Sequence, residues 1–137
     1  MSDQASVTNP AQSIEAAPFA RLLGMKLESA GHGEAVAMLP FDLKTLNPGG
    51  PNVPVHGGAI ASLVDFAACA AVWTLPETQR SATVAMSVNF TCPAVSSDLL
   101  AHARVRRKGR RVASLTVEVR DGAGALVADA IVTYKIS

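Results

Sequence analysis

The chain has 137 residues, enough for one domain with a buried core that needs no disulfide or metal staple. Hydrophobic residues make up 49% and charged residues 17%, while aromatic residues are only 4%, so a globular core must rest on Ala, Val and Leu. A formal net charge of +1 gives no reason to expect a nucleic-acid partner, and two cysteines are too few for a disulfide framework.

The N-terminus, Met1-Ser2-Asp3-Gln4-Ala5-Ser6, has neither the basic nor the apolar region of a secretory signal. The longest apolar run is shorter than the roughly 20 residues needed to cross a bilayer, so a cytoplasmic protein with no membrane contact is expected. Residues 1–12 are small, polar and aperiodic and predict a disordered arm, leaving 13–137 as a single domain. Residues 14–23 predict a short N-terminal helix with Ser13 as cap, Pro18 interrupting it and Gly24 closing it. Residues 25–28 alternate as a strand, Ala30-Gly31-His32-Gly33 is turn chemistry, and 34–40 reads as the returning strand. The loop over 41–55 carries Pro48, Gly49, Gly50, Pro51 and Pro54, and stands immediately before the helix around which the chain is organised.

From Ala59 to Trp73 every residue is small or apolar except Ser62 and Asp65. Alanine and leucine favour helix, and a helix apolar on nearly every face is buried on nearly every face. A carboxylate inside it is costly unless something compensates its desolvation. Asp65 lies about two turns in, too deep to serve as an N-terminal cap. The helix should stop near Leu75-Pro76.

Strands are expected over 81–90, 98–108, 112–120 and 126–136, with a turn at Asp121-Gly122-Ala123-Gly124. In the first of these, Ala82, Val84, Met86 and Val88 share one face, with Thr83, Ser87 and Asn89 between them. Two strands, one helix and four strands in meander imply antiparallel pairing, hence an α+β domain whose sheet wraps one long central helix. The sheet covers one side of that helix, so its other apolar face and the sheet edges call for a partner subunit.

At the helix start, His56-Gly57-Gly58 offers unpaired N–H groups and the positive end of the helix dipole. His32, His56 and His102 have no metal-ligand spacing, the Gly49-Gly50 loop lacks the ending of a phosphate loop, and neither Cys69 nor Cys92 has a base beside it. No metal and no separate cofactor are expected. The single basic concentration is Arg104, Arg106, Arg107, Lys108, Arg110 and Arg111, which reads either as a solvated hairpin or as a dock for phosphates.

His56-Gly57-Gly58 followed by Asp65 resembles the HGG-x6-D/E signature of hotdog-fold acyl-CoA thioesterases, nearest to the phenylacetate-pathway type of the 4-hydroxybenzoyl-CoA thioesterase superfamily. The likeness runs from about residue 18 to 136 and includes Pro18-Phe19, Leu23-Gly24, Ser87-Val88-Asn89-Phe90, Pro93-Ala94, Lys108-Gly109-Arg110-Arg111 and residues 124–128. It implies a hotdog fold and hydrolysis of an acyl-CoA by a homodimer or dimer of dimers. Coenzyme A would then be part of the substrate. By the same resemblance, the Gly57 N–H polarises the thioester carbonyl, Asp65 is nucleophile or general base, Thr83 helps hold the water or carboxylate, and His56 shapes the loop. Gly58, Phe66 and Lys108-Gly109-Arg110-Arg111 join the substrate-binding set. Two positions depart from the pattern. Gly50 stands where relatives carry asparagine, so Asn52 or Asn47 would have to substitute, and Cys69 stands where relatives often have threonine.

Eight residues at about 1.5 Å each separate Gly57 from Asp65 by roughly 12 Å along the helix, too far to meet one carbonyl. A composite site is therefore expected, with Gly57 from one subunit and Asp65 from the other. Apolar neighbours around Asp65 would strengthen its basicity. The rival readings are a non-catalytic acyl-CoA-binding hotdog protein, favoured by Gly50 and Cys69, and a hotdog hydratase, weakened because no histidine follows Asp65 at close range.

Overall fold

A proline and small residues form a 3-10 segment, Pro10–Ala16, at the start of the described residues, which run over 10–137 in a computed structural model. Most of the expected disordered arm lies outside the described residues. Residues 10–12, however, are ordered, because Ala11 is fully buried in the core and the segment packs on the central helix. Helix α1 (Pro18–Leu23) begins at its proline rather than being interrupted by it, since Pro at the first helical position needs no N–H partner. Ser13 caps nothing here; its hydroxyl donates to the Pro10 carbonyl. Gly24 closes α1 at φ 72°, in the left-handed region, as its position predicted.

Strands β1 (Lys26–Gly31) and β2 (Glu34–Leu39) form a hairpin whose two-residue turn has His32 at φ 54° and Gly33 at φ 77°. Both signs match the primed turn that suits strand twist, so β1 runs further than its alternation suggested. The proline- and glycine-rich loop is pinned by a bridge between Leu46 and Val55 and by the Asn47 N–H on the Pro54 carbonyl. Helix α2 (Gly57–Trp73) follows and is closed by Thr74.

The remaining strands are β3 (Ser81–Phe90), β4 (Leu99–Lys108), β5 (Val112–Arg120) and β6 (Leu126–Ile136). One antiparallel sheet takes the order β1-β2-β4-β5-β6-β3 and wraps α2, the arrangement expected of a hotdog. The four-strand meander is a correction: β3 pairs with β6 at the far edge and β4 pairs with β2, leaving β4-β5-β6 as the meander. The linker over 91–98 is too long for a tight turn. It is tied across the sheet end by the Thr91 N–H on the Val127 carbonyl and by the Val55 N–H on the Ala94 carbonyl.

Scarcity of aromatics shows in the packing. Ala67, Ala68, Ala70 and Ala71 of α2 are buried, as are Ala35, Ala37, Ala101, Ala103 and Ala113 of the sheet, so helix and strands approach closely. Leu39, Leu63, Leu99, Leu115 and Tyr134 fill the larger gaps. Helix α2 is less bare than expected, because Pro10–Ala16 packs against it as well as the sheet. Strand β3 is the opposite case. Its outer edge has no partner strand among the described residues, and Val84 and Phe90 on it are 61% and 55% exposed. No helix of the described residues is long and apolar enough to cross a membrane.

Candidate active site

The chemistry collects where α2 crosses β3 and β6. Strand β6 turns Ala128, Ala130, Val132, Tyr134 and Ile136 inward, all buried, and its partners on β3 share that face. Thr83 pairs with Tyr134, Met86 with Val132 and Val88 with Ala130. The register slips between Thr83 and Ala85, so a bulge at Val84 shifts the phase of the strand. Simple alternation put Thr83 on the face opposite Met86 and Val88. The bulge turns it inward with them, toward the helix.

There the Thr83 hydroxyl donates to Asp65 Oδ1 at 2.7 Å. Tyr134 donates to the same oxygen at 2.6 Å and lies 3.1 Å from the Asp65 carbonyl. These two hydroxyls hold one side of the carboxylate, and Oδ2 has no partner among the described residues. A cavity of about 410 Å³ opens beside Asp65, lined by Phe66, Cys69, Ser81, Thr83 and Met86, with Ile14, Phe19 and Met25 as the wall supplied by the N-terminal segment. Asp65, Thr83, Phe66 and Cys69, singled out from sequence, thus meet in one place.

Burial pushes the Cys69 thiol up from its ordinary range, with the charge of Asp65 acting the same way, so Cys69 is a protonated wall residue rather than a nucleophile. Its sulfur lies 3.9 Å from Ser81 Oγ, which accepts a 2.9 Å bond from Trp73 Nε1. Tyr134 is also raised, first by burial, then by Cys69 and by its bond to Asp65, which keeps the phenol protonated and donating. Ser62, the other polar residue of α2, is spoken for by the Gly58 carbonyl at 2.8 Å.

At the helix start the imidazole of His56 is the cap. Its Nδ1 accepts from the Gly58 N–H at 2.8 Å, which leaves the proton of the neutral ring on Nε2. A Cβ on Gly58 would sit 3.0 Å from that nitrogen, so the cap and the glycine go together. The N–H groups of Ala59 and Ile60 reach the His56 carbonyl. Gly57 N–H alone in this turn has no acceptor among the described residues. Gly57 lines a separate cavity of about 400 Å³ with Val55, Ile60, Phe90 and Ala94. Within one chain it does not share the Asp65 cavity.

Gly109, Arg110 and Arg111 line a third cleft, of about 510 Å³, with Arg107 at the β4–β5 turn, and Lys108 borders a small neighbouring hollow with Arg110. Asn52 is exposed on its loop and lines none of these cavities. Sequence reasoning missed Tyr134. Its signal was there: it is the chain's one tyrosine, on the inward phase of β6, and a buried phenol needs a polar partner. The N-terminal wall, Ile14 and Phe19, was missed as well.

Residues 54–128 match the family model described as the thioesterase superfamily. A conserved protein of Pseudomonas aeruginosa superposes with a TM-score of 0.84 at 30% identity, covering 93% of this chain and 100% of the other. The phenylacetic acid degradation protein PaaI of Thermus thermophilus superposes with a TM-score of 0.76 at 28% identity, covering 86% and 97%. A hypothetical thioesterase of Streptococcus pneumoniae, solved with coenzyme A, has a TM-score of 0.74 over 82% and 85% of the two chains. At 21% identity that last likeness is one of fold.

Proposed function

We propose, for a chain that belongs to the thioesterase superfamily and is a thioester hydrolase of the PaaI-like hotdog type, that its substrate is an acyl- or aryl-coenzyme A thioester. The observation that carries this reading is the half-clamped carboxylate. Asp65 Oδ1 is held by two hydroxyls, and Oδ2 is left open beside a mostly apolar cavity large enough for an acyl group.

In this reading Asp65 Oδ2 takes a proton from water as the water oxygen bonds to the thioester carbon, and the tetrahedral intermediate then expels the coenzyme A thiolate, which recovers the proton. Direct attack by Oδ2 would instead form a mixed anhydride as the C–S bond breaks, with water releasing the acid afterwards. Either route builds negative charge on the carbonyl oxygen. The Gly57 N–H, at the positive end of α2 and without an acceptor among the described residues, is the group suited to receive it. Because Gly57 and Asp65 lie in separate cavities, the donor comes from a partner subunit. The edge of β3, which has no partner strand among the described residues, and its exposed Val84 and Phe90 support a homodimer, and exposed Leu100 and Ile131 on other strands support a dimer of dimers. His56 serves by holding the turn.

The coenzyme A of the pneumococcal neighbour agrees with a coenzyme A thioester as substrate, and the cleft at Arg107, Arg110 and Arg111 supports docking of its nucleotide phosphates at the β4–β5 turn. The test is a panel of acyl- and aryl-CoA thioesters, each paired with the matching N-acetylcysteamine thioester, which has no nucleotide. Asp65→Asn should abolish turnover of both series with the oligomer intact. Arg110→Glu with Arg111→Glu should raise KM for the coenzyme A series alone, by about tenfold for roughly 1.4 kcal/mol of lost phosphate contact. Turnover surviving Asp65→Asn, or equal KM changes in both series, would sink the corresponding assignment.

A further inference from the structure

We propose that Tyr134 is a positioning residue for the hydrolysis, fixing Asp65 so that Oδ2 is the oxygen that works; this rests on the reading of Asp65 given above. A carboxylate oxygen has two lone-pair directions, and Oδ1 receives two hydroxyl donors, from Thr83 at 2.7 Å and from Tyr134 at 2.6 Å. Its capacity is filled. A substrate water or carbonyl carbon therefore meets Oδ2.

The two donors are not equivalent. Thr83 is exposed on the edge strand, where a ligand and a partner subunit must pass. Tyr134 is 2% exposed, packed within β6, and its hydroxyl also touches the Asp65 backbone carbonyl. It ties the carboxylate to its own helix turn as well as to the sheet. Thr83 and Tyr134 are cross-strand partners, so strand register brings both hydroxyls to one atom. The phenol keeps its proton throughout: burial disfavours its anion, and it acts as a fixed donor.

Tyr134 is the chain's one tyrosine, so growth on 3-fluorotyrosine places a single fluorine probe beside Asp65 without altering the fold. Its ¹⁹F resonance should move in Asp65→Asn and stay in place in the surface variant Glu118→Gln. In kinetics, Tyr134→Phe should lower kcat about tenfold, equivalent to about 1.4 kcal/mol, with KM within about twofold of wild type. In the Asp65→Asn background the same change should leave any residual rate where it was. The proposal is overturned by an unchanged kcat in a folded Tyr134→Phe, or by a KM that rises as far as kcat falls. A fluorine signal indifferent to Asp65→Asn overturns it too, and decides alone if Tyr134→Phe does not fold. A wild type that hydrolyses no thioester of the panel would instead remove the functional reading, while the fluorine measurement still tests the contact.

Discussion

Replacing Gly57 with proline removes one N–H and little else. Gly57 is the first residue of α2, the position where helices best accept proline. His56 before it has φ −61° and ψ 136°, the conformation that a residue preceding proline prefers. A Cβ at Gly57 meets the ring of Phe90 at 3.4 Å, an ordinary contact. The helix, the His56 cap and the fold should all survive. What is lost is an N–H that has no acceptor among the described residues, and removing one donor to a developing oxyanion costs on the order of 10²–10³ in kcat.

Pairing this variant with Asp65→Asn tests whether one site draws on two chains. In a two-fold dimer with shared sites, a mixed pair of the two variants has one site bearing both lesions and one bearing none. Random mixing makes half the dimers mixed, so roughly a quarter of wild-type activity should return from two nearly inactive parents. If Gly57 and Asp65 served the same site from one chain, no site in the mixture would be intact. The assay is thioester turnover after unfolding and refolding the two variants together. Different affinity tags, pulled down in sequence, prove that mixed oligomers formed. Proven mixing with activity no higher than the parents would refute the shared site.

Two further outcomes follow from the geometry. His56→Ala should lower stability by about 1 kcal/mol, or about 3 °C in Tm, through the lost cap, whereas His56→Asn should keep both stability and turnover because asparagine caps equally well. A His56→Asn enzyme that is stable but dead would show that the imidazole itself takes part in the reaction. The second concerns alkaline pH. Folding raises Tyr134 above its ordinary value, so the unfolded chain gives up the phenolic proton first; the stabilisation is whole below pH about 10 and falls as pH rises beyond it. Urea denaturation between about pH 9 and 11 should show that decline, flattened in Tyr134→Phe, and an identical slope in both proteins would refute it.

Much of this was legible from residue patterns. The all-apolar run with one acid marked α2 and Asp65, since burying a charge without a purpose is costly. His32-Gly33 marked the first hairpin, and Gly24 the end of α1, because both need a backbone that glycine or a polar turn residue tolerates. Pairing across the sheet was not legible. Nothing in the alternation of residues 81–90 says whether β3 lies beside β4 or beside β6; that depends on how the 91–98 linker is tied to Val55 and Val127, two contacts distant in sequence. Tyr134 escaped for the same reason, being 69 residues from the carboxylate it holds.

The bulge at Val84 shows how such a non-local detail decides chemistry. A strictly pleated β3 that kept Met86 and Val88 packed inward would point Thr83 out to solvent. A strand that instead kept Thr83 inward would expose Met86 and Val88 and lose the cavity wall. One extra residue resolves the conflict: it lets Ser81 and Thr83 face the helix in one phase and Met86, Val88 and Phe90 face it in the other. The polar half of β3 then lies against Asp65 and Trp73, and the apolar half runs on toward Gly57, where the Phe90 ring lies 3.4 Å from the place a Cβ would take. A single edge strand thus borders both the carboxylate and the Gly57 N–H of its own chain. Antiparallel pairing of that edge with a second copy would bring the polar half of one β3 alongside the apolar half of the other. That is the geometry a site with Asp65 from one chain and Gly57 from its partner requires.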